Sequence, residues 1–287
     1  MIEYIILVAV VLAFAFTTII KKQYTNSVQG DDRPALFNLI LGSIILIVYI
    51  LMYIWNLDWN SGVLIYSLIW ALSGAVCMFC SILALKSGPL SLTSLFMQLS
   101  LIVVTLFGII FWGETFTITT CVGLVLVGLS LIFNLSPSRD DKKFNIKWLV
   151  LSILAMVANA GTAIAQRQQQ INFKGEFGGM MLLFSQAFAV VVLLFIFLKS
   201  NKKGCVKVLR KTIKYSIMEA ITNVVLNVGL VYLATKMSSN IVYPVLTVGS
   251  LFIVYSVSIA FYKEKLSAKK AIGAILAIIA IVLLNLK

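Results

Sequence analysis

One carboxylate stands alone among apolar residues. Nine of the ten acids, Glu3, Asp31, Asp32, Asp58, Glu114, Asp140, Asp141, Glu176 and Glu264, fall at or beyond the ends of apolar runs, and only Glu219 lies within one. Placing a carboxylate in hydrocarbon costs roughly 2.5 kcal/mol or more, so such a group is expected to face the protein interior and to work there. Asn223 and Asn227 follow it at intervals of four, a spacing that projects all three side chains from one helix face. The chemistry this stripe offers is binding. Glu219 is expected to take a proton or a cationic group, and the amides to orient polar groups of the same ligand.

Other polar positions fall into step with it. Asn159, Thr162 and Gln166 recur at spacings of three and four and form a second stripe. Gln98 stands four residues after Ser94, and Tyr243 and Pro244 precede Thr247 and Ser250 in another apolar run. Trp70 and Tyr243 are expected to shape the apolar wall of the site. Gln166 and Arg167, followed by three further glutamines, read as a polar helix end and as gate candidates. Lys21 and Lys22 close the first apolar run, where long basic side chains reach outward to water. No Lys or Arg sits mid-membrane, which argues against a phosphorylated substrate.

Much other chemistry is excluded. The chain has no histidine, so His-based triads, HExxH zinc sites and histidine proton relays are absent. No GxxxxGK[ST] loop is present, so the chain holds no nucleotide-driven motor of that type. Cys77 and Cys80 form a C-x-x-C, but both sit within an apolar helix with no second ligand pair and read as packing residues. No enzyme activity, metal or cofactor is expected.

These side chains need a membrane-embedded scaffold. Of 287 residues, 61% are hydrophobic and 11% charged, with a mean hydropathy of +1.05, well beyond the roughly 45–50% apolar content of soluble domains. Apolar runs bounded by charges, Gly or Pro predict spans near 2–20, 34–55, 62–86, 89–112, 116–135, 147–170, 178–199, 212–236, 240–262 and 269–286. The first is expected to be a retained helix, not a cleaved leader. Shifting the chain by 150 residues aligns 83–134 with 233–284 without a gap, with 11 identities in 52 positions. They include Lys86/Lys236, Ser100/Ser250, Glu114/Glu264 and Gly123/Gly273. A repeat of five helices, an odd number, must insert its second copy upside down. The expected fold class is therefore an all-α integral membrane protein of ten transmembrane helices, arranged as two inverted five-helix repeats around a central cavity. The first repeat covers 1–135, a linker 136–146 and the second repeat 147–287.

With ten spans in a five-plus-five duplication, Gly113-Glu114 closing the fourth span, its second copy at Lys263-Glu264, and Gly123 and Gly273 at matched spacing, the chain resembles the drug/metabolite transporter superfamily, specifically its ten-helix EamA-like branch. The second copy departs from the pattern by carrying Lys263 in place of glycine. The resemblance implies a central cavity lined by eight helices, with the fifth and tenth spans at the periphery. Gly123 and Gly273 then read as close-packing supports or a dimer face. Glu114 and Glu264, each at a helix start after a tight turn, read as caps stabilised by the helix dipole.

The function expected is secondary active transport of a small organic solute, an amino acid, amine or amphipathic metabolite, by alternating access across the cytoplasmic membrane. The resemblance favours export. An uptake permease for such a solute and a flippase for a lipid-linked headgroup are the alternatives. Expected partners are the solute, membrane lipids and a coupling proton, with no nucleic acid, in a monomer or weak homodimer. The predicted odd-numbered loops carry 19 of the 23 Lys and Arg residues, which places them in the cytoplasm and both termini outside. The resemblance implies the opposite, cytoplasmic termini.

Overall fold

The computed structural model describes residues 2–28, 33–113, 116–135, 146–200, 205–237, 239–264 and 268–285. Apart from one short 3-10 turn, its regular elements are α-helices: α1 (Ile2–Ser27), α2 (Arg33–Tyr53), α3 (Val63–Ser87), α4 (Leu90–Gln98), α5 (Ser100–Phe111), α6 (Ile118–Leu135), α7 (Ile146–Asn172), α8 (Gly178–Lys199), α9 (Cys205–Lys236), α10 (Ser239–Ala260) and α11 (Ala268–Asn285). Helices are what a lipid solvent demands, because each satisfies its own backbone groups. Among the described residues, six segments are long and apolar enough to cross a membrane: α1, Pro34–Tyr53 in α2, α3, the α4–α5 stretch Leu90–Phe111, α7 and α8; Ile118–Ser130, Val245–Ala260 and Ala271–Leu283 are shorter apolar stretches.

Three boundaries differ from the expected ones, each for a physical reason. α1 does not stop at Ile20 but runs to Ser27, so Lys21 and Lys22 lie inside a helix. The expected fourth span divides at Leu99 into α4 and α5. α9 begins at Cys205, seven residues before the expected start, and at 32 residues is about 48 Å long. Its first turns therefore carry Lys207, Arg210, Lys211 and Lys214 as helix, not loop. The linker residues 136–145, and Glu114, lie outside the described residues.

Two antiparallel helix pairs form the centre. Along α1 and α9 the contacts run in opposite directions: Ser27 meets Tyr215, Lys21 meets Glu219, and the α-carbon face of Gly229 lies against Val10. Along α3 and α7, Gly88 lies against Trp148, Cys77 meets Asn159, Gly161 packs on Ser73, and Tyr66 meets Asn172. α2 packs on α8 and α9, α8 also on α3, and α1 on α10. The largest apolar cluster joins Tyr24, Phe37, Leu41, Ile45, Tyr49 and Ile82 with Leu182, Leu183 and Ala220.

α6 and α11 pair with each other at the edge of this centre, touching α5 and α10. Ala277, Ala280 and Ile281 pack with Val127, Leu95 and Leu251, and Ser130 donates to the Gly273 carbonyl at 2.7 Å. Gly123 and Gly273 are buried. Part of the small-residue face of α11 is thus taken up within one chain, as close-packed membrane helices require.

Candidate functional site

Glu219 is fully buried on α9, and Lys21 Nζ from α1 lies 3.0 Å from its Oε1. This overturns two expectations at once. Lys21 does not reach outward to water, and a basic group does lie within the helical bundle. The side chain of Lys21 retains 15% exposure against none for Glu219. Neither carboxylate oxygen has a well-formed hydrogen bond among the described residues, so the contact is an ion pair with little directional support. Isolated charges pay heavily to leave water, and a pair recovers that cost only with good geometry and extra hydrogen bonds.

The rest of the α9 stripe is internally matched. Asn227 Nδ2 donates to the Asn223 side-chain oxygen at 2.8 Å and to the Asn223 carbonyl at 2.9 Å. Both side chains are half-buried. The α7 stripe reaches the other half of the chain: Asn159 Nδ2 donates to Ser100 Oγ at 2.9 Å and to the Met97 carbonyl at 3.3 Å, and accepts a weak contact from Cys77 Sγ at 3.9 Å. Thr162 instead donates back to the Asn159 carbonyl at 2.7 Å, an intrahelical bond. Gln98 Nε2 donates to Ser250 Oγ at 3.0 Å. The duplicated serines Ser100 and Ser250 thus each receive an amide N–H from the opposite half. The one-residue interruption at Leu99 lies between Gln98 and Ser100, and its N–H still donates to the Leu95 carbonyl at 3.0 Å.

Trp70 is half-buried and packs with Val63, Ala165, Met180 and Met181, towards α7 and α8. Further along α3, Ser73 and Cys77 also meet α7 of the other half. Tyr243 and Pro244 lie in α10, but their side chains are outside the described residues. Arg167 is exposed with its guanidinium 4.7 Å from the Trp112 ring centre, while Trp112 Nε1 donates to Gln168 Oε1 at 2.6 Å. Gln169 is buried and donates to the Glu176 carbonyl at 2.7 Å. Gln166 is half-buried beside them. The α7 end is thus tied to the end of α5 and to its own turn.

A second charged junction lies next to the pair. Lys22 Nζ donates to the carbonyls of Leu85 at 2.8 Å and Gly88 at 2.7 Å, closing the C-terminal end of α3. Glu264 accepts from the backbone N–H of Leu90 at 2.6 Å and of Ser91 at 3.2 Å, and from Ser91 Oγ at 2.7 Å; Ser258 Oγ also donates to it. Glu264 thus meets the free amides at the start of α4 in the other half. The physics is the expected one: the free amides of a helix start favour a carboxylate. The chain between these two caps is Gly88-Pro89, extended at both residues. A Cβ on Gly88 would lie 2.1 Å from Trp148 Cδ1, and Trp148 Nε1 donates to Thr93 Oγ1 at 2.9 Å.

Sequence reasoning missed Lys21 as a partner and missed Asn38, a fully buried amide on α2 with no hydrogen-bond partner among the described residues. The adjacency of Lys21 to the last apolar residue of its run was the signal for the first. Polarity alone was the signal for the second.

With this geometry in place, the comparisons with known proteins carry weight. Residues 1–136 match the EamA-like transporter family. The match covers 136 of the 287 residues. An EamA-like chain is a multi-pass membrane protein, and the family is one of transporters of small solutes. No curated protein matches the sequence. A solved structure described only as "Crystal structure of protein" is similar over 98% of this chain and 95% of its own, with a TM-score of 0.60 at 14% identity. That likeness concerns the fold alone.

Proposed function

We propose that the protein is a secondary active transporter that exports a small organic solute, an amino acid, amine or amphipathic metabolite, from the cell. It works by alternating access between two inverted five-helix halves. The observation that carries this reading is the buried Lys21–Glu219 pair, which joins α1 of the first half to α9 of the second. A charge pair inside a lipid-spanning bundle marks a substrate or ion pathway by default.

The helix contacts support the inverted arrangement. Exchanging α1 with α7, α2 with α8, α3 with α9 and α6 with α11 turns the α1–α9 pair into the α7–α3 pair and the α2–α9 pair into the α8–α3 pair, while α2–α8 and α6–α11 map onto themselves. Two halves related in this way can rock about the polar groups between them. Glu219 binds a proton or the cationic group of the solute, Asn223, Asn227, Asn159, Thr162 and Gln98 orient its polar groups, and Trp70 with Tyr243 bounds the apolar side.

Purified protein reconstituted in liposomes tests this. Saturable movement of an amino acid or amine that follows an imposed proton gradient, and that is lost in Glu219→Gln, is the expected result. Flux and pH dependence unchanged in Glu219→Gln would assign that carboxylate to packing.

A further inference from the structure

We infer that Lys21 is an internal counter-ion that competes with the cationic cargo for Glu219, and that this competition is what lets the carrier return without cargo. The inference rests on the transporter reading above and gives Lys21, so far only the partner of Glu219, a role of its own.

Consider what a buried carboxylate does to a rocking carrier. When the halves close around Glu219 with no positive charge beside it, an ionised group is sealed away from water with nothing to offset the loss of hydration. Closure is then blocked unless a cation travels with it. A carrier with such a group and no internal partner returns only with a cargo or a proton on the carboxylate. The Lys21 ammonium at 3.0 Å removes that block, since the sealed pair has no net charge.

Three features of the pair fit a counter-ion that comes and goes better than a permanent brace. First, the partners stand on opposite halves, α1 and α9, so the motion that opens the carrier is the motion that parts them. Second, their exposures differ: Lys21 keeps 15% and Glu219 none. The ammonium sits on a long flexible stem that can swing aside, whereas the carboxylate must be met where it is. Third, the carboxylate is under-satisfied, with no well-formed hydrogen bond to either oxygen among the described residues. A structural ion pair of full strength has its remaining lone pairs occupied. Glu264 shows that arrangement, with two backbone amides and two hydroxyls directed at it. Further along the same face, the Asn227 amide is already committed to Asn223.

No covalent step is involved. The cargo's ammonium, or a proton, replaces Lys21 at Glu219 on loading, and Lys21 replaces it on release.

The test separates exchange from net flux in liposomes, with radiolabelled L-phenylalanine and 2-phenylethylamine as probes. Exchange is counterflow into vesicles preloaded with the same unlabelled compound; net flux is efflux into probe-free buffer. With both sides of the membrane buffered alike at alkaline pH, so that return with a proton on Glu219 is small, the expected result for Lys21→Gln is a ratio of net efflux to exchange at least about 20-fold below that of wild type, because the cargo-free return loses its counter-ion. Lys21→Arg keeps the charge and is expected to retain net efflux. Loss of both modes together in Lys21→Gln, unchanged net efflux in that variant, or loss of net efflux in Lys21→Arg would each overturn the inference while leaving transport itself standing. Failure of wild type to move either probe in either mode would remove the transporter reading and the inference with it.

Discussion

Lys21 and Lys22 are neighbours on one helix and hold two unlike regions of the molecule. Lys21 meets a carboxylate of the opposite half at a buried point with few other partners. Lys22 meets carbonyls of its own half at the α3–α4 junction, where Glu264, Ser91, Ser258, Thr93 and Trp148 complete a dense set of bonds. One region is a charge pair with little hydrogen bonding, the other a hydrogen-bonded clamp in which each charge caps a helix end. The difference teaches where a rocking molecule can tolerate change. The pair is free to trade partners; the clamp has to break as a unit.

Substitutions should separate the two regions, with the largest effect at the pair. Glu219→Leu strands the Lys21 ammonium inside the bundle and is expected to cost about 3–5 kcal/mol, read as a lowered melting temperature in detergent. The double change Lys21→Met with Glu219→Leu removes both charges and is expected to restore stability to within about 1 kcal/mol of wild type, while transport stays absent. If the single and double variants melt alike, the pair is not the source of the cost.

Next comes the clamp. Gly88→Ala drives a Cβ into the Trp148 ring and is expected to cost about 1–3 kcal/mol through overpacking; a variant as stable as wild type would mean the junction yields more readily than described. Glu264→Gln takes the charge from the α4 amides and is expected to cost about 1–2 kcal/mol, a loss that shrinks in high salt only slightly because the junction is partly buried. The smallest effect belongs to the matched amides. Ser250→Ala leaves Gln98 Nε2 without its acceptor and is expected to cost about 0.6 kcal/mol, the usual value of an interhelical hydrogen bond in membranes. A larger loss would give that bond a role in the site beyond packing.

How much of this was legible in the sequence follows from what kind of information each feature needs. Glu219 was legible because hydrocarbon penalises charge, and one acid within an apolar run is visible without any structure. Ser100 and Ser250 were visible as matched positions of the repeat, though not as acceptors for Asn159 and Gln98. Lys21 was misplaced because a span drawn by hydropathy stops at the first charge, whereas the α1 backbone continues seven residues past Ile20. The target of Glu264 could not be read locally. Leu90 is 174 positions away, and the rule that a carboxylate favours a helix start says nothing about which helix start comes near it. Gly88 shows the same limit, since only the approach of Trp148 makes its missing side chain matter.

The most direct test of the account is whether the clamp must open for transport. Ser91 on α4 and Ser258 on α10 both direct their hydroxyls at Glu264 Oε2, so cysteines at these two positions are close enough for a short bifunctional thiol reagent, with Glu264 left in place and the native cysteines replaced. Counterflow of L-phenylalanine through the Ser91→Cys, Ser258→Cys protein is expected to stop when the link is made and to return when it is reduced. Undiminished counterflow with the two helices tied together would contradict the account.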